Sequence, residues 1–297
     1  MNIFQRNVNK VVVMAVIAAS FSSIFVRLTE APPIAIGFYR LTFAWPIFAI
    51  ITFGWHRAEL TGLSRKKVAG CALAGIFLAG HFFSWFTGVG HTSVASATVL
   101  AMMHPLIILI LSVLLWRERT NKKAIFGVVI AFVGGVIVSG GDYSISLSAL
   151  FGDLMSFLAA FFMALYLITG NKFRTGISAA VYVFLVFSFC WVAFGAGMLI
   201  TSTPFTGYSF QDIFWIFMMS MVCQIGAHAV FNWCLGYTTA LYVATCENLE
   251  TFIATAMAAL LFVEIPTVSQ AIGGLIIVAG VMYYTRHEQI NANVDES

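Results

Sequence analysis

The sequence predicts an all-α integral membrane protein in which ten transmembrane helices form two five-helix repeats of opposite orientation. Three observations support this prediction: the composition, the spacing of long apolar segments, and an internal repeat. Apolar residues fill 61% of the 297 positions and charged residues only 9%, whereas a soluble domain carries about 25% charged residues. Because so few polar side chains are available to face water, most of the exterior is expected to contact lipid.

Long apolar segments recur along the whole chain. A membrane-spanning helix needs about 20 mostly apolar residues. The predicted spans that meet this requirement cover residues 8–28, 33–54, 68–90, 93–116, 122–140, 149–171, 177–201, 211–235, 238–263 and 268–285. Arg6 and Lys10 precede the first span as in a signal peptide, but the apolar run is longer than a signal core. We therefore expect a retained first helix.

The basic residues predict the orientation. With the N-terminus inside, thirteen of the fifteen Lys and Arg residues fall on the cytoplasmic side, and only Arg27 and Arg40 do not. This asymmetry is typical of cytoplasmic segments. An even number of spans returns the C-terminus to the same side. We expect both termini to be cytoplasmic in a cell inner (plasma) membrane, with residues 287–297 forming a polar tail.

The repeat becomes visible when the sequence is shifted by 146 residues. The shift places Gly90–Ser93 on Gly236–Thr239, Glu118 on Glu264, Gly127 on Gly273 and Gly134 on Gly280. Five spans per copy is an odd number, so the two copies must have opposite topology. Inverted repeats of this kind recur in secondary transporters, whose substrate site lies near the midplane between the copies. The predicted domains are residues 1–145 and 146–286.

These residues carry a resemblance to a known family. The chain resembles EamA-type members of the drug/metabolite transporter superfamily over nearly its whole length. The matching positions are Arg40, Gly90–Ser93, Pro105, Glu118, Gly127, Gly152, Asp153, Glu264 and Gly273. The resemblance implies a fold of two five-helix repeats and, in most members, export of amino acids or other metabolites. One departure is Thr251, which replaces a proline often found in the ninth helix. The sequence therefore does not predict whether that helix is kinked.

Two carboxylates near the bilayer centre are the first candidates for function. Glu247 and Glu250 lie about 9 and 12 residues into the ninth predicted span. Their i, i+3 spacing places them on one side of a helix, and ionisable groups at this depth are costly. We predict substrate binding or proton coupling for both. A structural ion pair with Arg40 is the alternative.

Arg40 and His104 are further candidates within predicted spans 2 and 4. The sequence allows two interpretations of Arg40: it contacts a substrate carboxylate, or it anchors neighbouring helices. His104 precedes Pro105, which frees a backbone carbonyl one turn earlier. A polar kink of this kind commonly lines a cavity. Under the 146-residue shift, His104 coincides with Glu250, so the two are expected at matching depths.

Histidines and aromatic residues complete the candidate set. His81 and His228 lie 147 residues apart, and we expect them to pack by hydrogen bonding more than to relay protons, although both remain candidates for coupling. Most aromatic residues are expected to face lipid or the membrane interface. The retained substrate-contact candidates are Trp85, Asn232, Trp233 and Tyr242.

The sequence favours a carrier over other classes. It contains no HExxH, GxSxG or phosphate-binding glycine loop, so no enzyme is predicted, and no cofactor, metal or nucleic-acid partner is expected. The prediction is a secondary-active exporter of amino acids or related zwitterions that works by alternating access, with proton coupling as an option. An uptake carrier for a cationic or quaternary amine and a channel remain alternatives, and the oligomeric state is left open.

Overall fold

The structure is a computed structural model that describes residues 8–116, 122–140, 146–234, 237 and 240–295. Every regular element in these ranges is helical, which confirms the all-α prediction for them. The helices are α1 Val8–Arg27, α2 Pro33–Trp55, α3 Arg57–Thr61, α4 Arg65–His91, α5 Val94–Ala101, α6 His104–Trp116, α7 Lys122–Gly140, α8 Leu147–Arg174, α9 Ala179–Ile200, α10 Phe210–Met219, α11 Val230–Cys234, α12 Ala240–Phe262 and α13 Val268–Asp295. A π-helical segment, Ser220–Ala229, joins α10 to α11.

Seven helical stretches of the described chain are long and apolar enough to cross a membrane. They are Lys10–Arg27, Pro33–Trp55, Arg65–His91, Val94–Leu111, Leu147–Arg174, Ala179–Ile200 and Phe210–Cys234. Shorter apolar stretches, Ile125–Gly135, Leu249–Phe262 and Val268–Gly280, fall on the other three predicted spans. Large side chains such as Leu260 and Ile200 are 83% exposed on the outside, as expected for contact with lipid. The last helix continues to Asp295, so it includes most of the segment predicted as a polar tail.

Serine residues set the start of several helices. Ser64, Ser93, Ser146, Ser178 and Ser209 each cap a helix by accepting a backbone N–H from the third residue beyond. The cap satisfies a donor that the first helical turn would otherwise leave without a partner. Sequence patterns of this kind explain why the predicted and observed helix starts agree closely.

The fourth predicted span is broken. Helix α5 ends at Ala101, two turn residues follow, and α6 begins at His104. Pro105 has no N–H to donate to the carbonyl of Ala101, which explains why the regular ladder stops there. The corresponding residue in the second half, Thr251, lies inside the continuous helix α12. The departure from proline thus coincides with an unbroken helix.

The helices pack in pairs around a polar centre. Helix α4 runs along α8, α7 along α13, and α2 along α9. Helix α1 packs against the π-helical segment and α12, while α12 also contacts α5. The main core contains fully buried aromatic residues, among them Phe82, Phe86, Tyr182 and Phe187. The ionisable residues buried near this centre come from α2, α4, α6, α12 and the π-helical segment; they are Arg40, His81, His104, Glu247, Glu250 and His228.

Candidate functional site

A small cavity lies at the centre of the helix bundle. Its volume is about 30 Å³, which leaves room for about one or two water molecules. Its lining comes from both halves of the chain. The polar lining residues are Ser22, His81, His104, His228, Glu247 and Glu250. Ionisable side chains buried at membrane depth cost free energy and are therefore functional candidates by default. This cavity is the leading candidate site for that reason.

Six of the residues singled out from the sequence meet at this cavity. They are His81, Trp85, His104, His228, Glu247 and Glu250. Helix α4 supplies His81 and Trp85, which are one turn apart, and α12 supplies both glutamates. The structure therefore brings together groups that are separated by up to 169 positions in sequence. Whether they bind substrate or protons is taken up as a proposal below.

The closest contact between these groups joins His104 to Glu247. The His104 Nε2 and Glu247 Oε2 atoms are 3.1 Å apart, and the side chains are 1% and 3% exposed. The other ring nitrogen of His104, Nδ1, lies 3.1 Å from the carbonyl oxygen of Ala101. No well-aligned hydrogen bond reaches Nε2 of His104 or either carboxylate oxygen of Glu247. The pair is thus a close contact between an imidazole and a carboxyl group that is sealed from solvent.

Arg40 is fully buried beside the cavity, and not all of its hydrogen-bond donors are used. Its guanidinium carbon lies 4.3 Å from the centre of the Phe82 ring, a cation–π arrangement. Its Nη1 atom donates to the Ser22 hydroxyl at 3.4 Å, while Nε and Nη2 have no hydrogen-bond partner. Among the described residues, no ion pair within 4 Å joins Arg40 to Glu247 or Glu250. The structural ion pair considered as the alternative is therefore not present in this conformation.

Glu250 lies on the same side of α12 as Glu247, as the i, i+3 spacing predicts. It is 8% exposed and interacts electrostatically with both Glu247 and Arg40. His81 and His228 face each other with ring centres 6.4 Å apart, and His81 Nδ1 lies 2.9 Å from the Ala159 carbonyl oxygen. The His81 contact is the helix-packing hydrogen bond expected from the sequence.

Asn232 supports the cavity from behind. Its amide oxygen accepts a hydrogen bond from the Tyr166 hydroxyl at 2.5 Å, and its amide nitrogen donates to the His228 carbonyl at 2.8 Å. Asn232 is 1% exposed. The two hydrogen bonds attach α11 to α8 and to the end of the π-helical segment, so Asn232 orients the neighbourhood of His228.

Trp233 belongs to a second, larger cavity. This cavity has a volume of about 640 Å³ and is bordered by Arg174, Trp233 and Tyr237, with residues 175–180 on the opposite wall. Arg174 Nη2 donates to the Trp233 carbonyl at 3.2 Å, and the Trp233 and Tyr237 ring centres are 4.7 Å apart. By the predicted orientation this cavity faces the cytoplasm. Tyr242 lies in α12, but its side chain is outside the described part of the structure.

The opposite end of the bundle is tied by a charged residue pair. Arg27 Nη2 lies 3.0 Å from Glu264 Oε1 and donates to the Thr92 carbonyl at 2.7 Å. Glu264 Oε2 accepts the backbone N–H of Val94 at 3.1 Å. These contacts join the end of α1, the start of α5 and the α12–α13 connection. By the predicted orientation this end faces outward.

Three buried polar residues of this region were not selected from the sequence. Ser22 lines the central cavity, Tyr166 bonds Asn232, and Gln224 is fully buried with no partner for either amide atom. Gln224 is an amide in the middle of an apolar span, and that signal could have identified it. Ser22 and Tyr166 are common residue types in membrane helices, so only the three-dimensional packing distinguishes them.

Comparison with known proteins gives the family. A sequence model of the EamA-like transporter family matches residues 9–140 and again residues 150–286. The chain belongs to the EamA-like transporter family. It is therefore a multi-pass membrane transporter, as the resemblance implied. An uncharacterized transporter of Archaeoglobus fulgidus is 26% identical over 93% of this chain and 95% of that protein.

Other proteins are also similar to this chain over most of its length. The uncharacterized transporter YxxF of Bacillus subtilis is 24% identical and covers 96% of this chain and 92% of its own length. A solved crystal structure with 18% identity superposes with a TM-score of 0.65 and covers 96% of this chain and 99% of the other. The last likeness shows that the two chains share a fold.

Proposed function

We propose that this EamA-like transporter is a secondary-active exporter of amino acids or related zwitterions in the plasma membrane. The observation that carries the proposal is a pair of oppositely charged side chains near the central cavity that make no direct ion pair with each other. Arg40 keeps two donors without partners, and Glu250 lies in electrostatic range of it without a direct ion pair. A cationic group suits a substrate carboxylate, and a carboxylate suits a substrate ammonium.

The central cavity is too small for an amino acid in this conformation. A volume of about 30 Å³ holds water only. Binding therefore requires the surrounding helices to separate, as alternating access demands. The 640 Å³ cavity beside Arg174 and the Arg27–Glu264 contact at the other end support a state that is open towards the cytoplasm and closed outward.

The proposed mechanism uses two five-helix halves of opposite orientation and ten membrane crossings. The packing supports a two-fold relation between the halves. Helix α4 packs on α8 in the way that α1 packs on the π-helical segment. Three further pairs, α2 with α9, α5 with α12 and α7 with α13, each join corresponding spans of the two halves. We infer that the halves rock about this axis and expose the central cavity to each side in turn.

Counterflow in proteoliposomes tests the proposal. Vesicles loaded with unlabelled amino acids, amines or nucleosides are given labelled counterparts, with and without a pH gradient. We expect saturable exchange of an amino acid. The Glu250→Gln variant should lose the amino acid and its decarboxylated amine, whereas Arg40→Lys, which keeps the charge but loses donors, should weaken the amino acid more than the amine.

The matched control is Glu30→Gln, since Glu30 is an exposed carboxylate away from the cavity. It should exchange like the unmodified protein. Exchange of amines alone, equally in the unmodified protein and in Arg40→Lys, would replace the zwitterion proposal with an amine carrier. Rapid, non-saturating flux without exchange would replace it with a channel.

A further inference from the structure

We infer that His104 and Glu247 form a binding site for a single proton, and that Pro105 creates this site by freeing the carbonyl group of Ala101. The inference rests on the proposed function, because it assigns a site for a proton coupled to transport. It also goes beyond it, since neither residue alone is the site.

The first step concerns the backbone. In an α-helix the N–H of residue 105 would bond the carbonyl of residue 101, and Pro105 cannot supply that N–H. The carbonyl of Ala101 is instead approached by Nδ1 of His104 at 3.1 Å. Buried carbonyl groups require a donor, so the side chain of His104 replaces the missing backbone hydrogen bond.

The second step fixes the tautomer of the ring. A carbonyl oxygen carries no hydrogen, so the hydrogen of this contact must belong to Nδ1. In the neutral imidazole, Nε2 is then a bare acceptor. His104 Nε2 lies 3.1 Å from Glu247 Oε2. Two lone pairs facing each other at this distance in a buried site would repel, so we infer that the pair holds a proton on Nε2 or on the carboxyl group.

The net charge of the His104–Glu247 pair depends on the number of protons it holds. With one proton the pair is either an imidazolium with a carboxylate or a neutral imidazole with a carboxylic acid, and both forms have a net charge of zero. Release of that proton to the cavity leaves a neutral imidazole, a carboxylate and a net charge of −1. Because Nδ1 is already protonated, a second proton could bind only a carboxylate oxygen of Glu247. That form, an imidazolium beside a carboxylic acid, would have a net charge of +1, which burial disfavours. The pair therefore takes up and releases one proton as a unit.

The remaining titratable groups around the pair do not share this geometry. Glu250 on α12, His81 on α4 and His228 on the π-helical segment line the cavity. Arg40 on α2 acts on Glu250, His81 and His228 through its charge. Tyr166 on α8 interacts with Glu247, but its hydroxyl hydrogen is donated to Asn232. Each of these groups can shift the pH at which the pair titrates.

Nitrogen-15 NMR of histidine-labelled protein in lipid tests the inference without measuring transport. The His104 signals are identified by their loss in His104→Gln. We expect Nδ1 of His104 to stay protonated across the pH range, while the Nε2 signal titrates once and its titration disappears or moves in Glu247→Gln. A His104 ring that carries its neutral-state hydrogen on Nε2 would overturn the inference, even if amino-acid exchange is observed.

The Pro105→Ala variant tests the role of the proline. Alanine restores an N–H that competes for the Ala101 carbonyl, so Nδ1 of His104 loses its fixed partner. We expect mixed tautomers in the NMR spectrum and a shift of the pH midpoint of exchange by about one unit, a tenfold change in proton affinity. Thr251→Ala at the corresponding position of α12 is the control and should shift neither. An unchanged tautomer and midpoint in folded Pro105→Ala would show that the proline does not build the site.

Discussion

A Cβ atom added to Gly134 of α7 would lie 2.7 Å from the carbonyl oxygen of Gly273 on α13. The same distance separates an added Cβ of Gly280 from the carbonyl oxygen of Gly127. The 146-residue shift turns the first contact into the second. The two helices thus meet along a seam in which each half of the chain uses the same two glycines, as a two-fold axis through the seam would require.

This symmetry predicts matched stability changes. Gly134→Ala and Gly280→Ala each force a methyl group against backbone of the facing helix, which cannot move aside as a side chain can. We expect each to destabilise the protein by about 1–3 kcal/mol and by similar amounts, measured as the loss of thermal stability in detergent. Gly54→Ala, which meets nothing within 4 Å, is the control. A clearly unequal pair of losses would speak against the symmetric seam.

The Arg27–Glu264 contact predicts a change in outward access. Glu264→Gln removes the ion pair with Arg27 and weakens the contact to Val94. Because the end of α1 would no longer be tied to the α12–α13 connection, we expect a cysteine at the buried position 97 of α5 to react several-fold faster with an impermeant maleimide added from outside. The measurement uses protein without its native cysteines.

Charge reversal supplies the control for that experiment. The double variant Arg27→Glu with Glu264→Arg should restore slow labelling, while either reversal alone should not. If Glu264→Gln labels at the rate of the unmodified protein, the pair does not hold the outer end closed.

A partly exposed hydrogen-bond cluster around Glu59, outside the membrane-spanning segments, predicts acid sensitivity. Burial alone would raise the pKa of Glu59, but hydrogen bonds from the Ser178 backbone and from His56 outweigh it and lower the pKa below the usual 4.5. A carboxylate with a lowered pKa stabilises the fold above its unfolded-state pKa and loses that contribution as the pH falls through the folded value. Thermal stability should therefore decline below about pH 4.5.

The Glu59→Gln variant should be less stable near neutral pH and show a flatter decline in acid. Glu30→Gln serves as the comparison, since Glu30 is exposed and makes no contact through its side chain in the described structure. Equal acid profiles for Glu59→Gln and the unmodified protein would mean that Glu59 does not link α3 to α9 in solution.

The two tryptophans selected from the sequence should behave differently. Trp85 is 4% exposed at the central cavity, whereas Trp233 borders the larger cavity near Arg174. Trp85→Ala should lower the maximal rate of exchange whichever side the substrate enters from. Trp233→Ala should raise the half-saturating concentration mainly for substrate added on the cytoplasmic side. Right-side-out and inverted vesicles separate these effects, and identical changes in both variants would contradict the assignment to two cavities.

The sequence predicted helix positions well because apolar length and serine caps are local properties. The candidate site was also largely predictable: a glutamate or histidine inside an apolar span has few reasons to be there, and five such candidates meet at one cavity. The contact between His104 and Glu247 was not predictable, because the repeat register paired His104 with Glu250 instead. The 146-residue register shows which residues lie at equivalent depth in the two halves. Which side chains touch depends on how the broken α5–α6 span packs against the continuous α12.

The π-helical segment and the placement of Trp233 also required the structure. A π-helix inserts an extra residue into a turn, so side chains after Ser220 point in directions that a regular helix would not give. Gln224 and His228 lie in this segment, and Trp233 follows it in α11. The sequence selected both Trp85 and Trp233 as substrate-contact candidates, and the structure places Trp85 at the central cavity and Trp233 at the larger one.

The small volume of the central cavity has a consequence for energy conservation. Protons hop along continuous chains of water, so a membrane protein with a water-filled centre lets protons leak across the membrane. The central cavity has space for only one or two waters between His104 and the surrounding helices. The described part of the bundle thus has too little room at its centre for such a chain, and exclusion of water is a recognised way to prevent proton leakage. The small central cavity thus limits proton leakage through the protein between transport cycles.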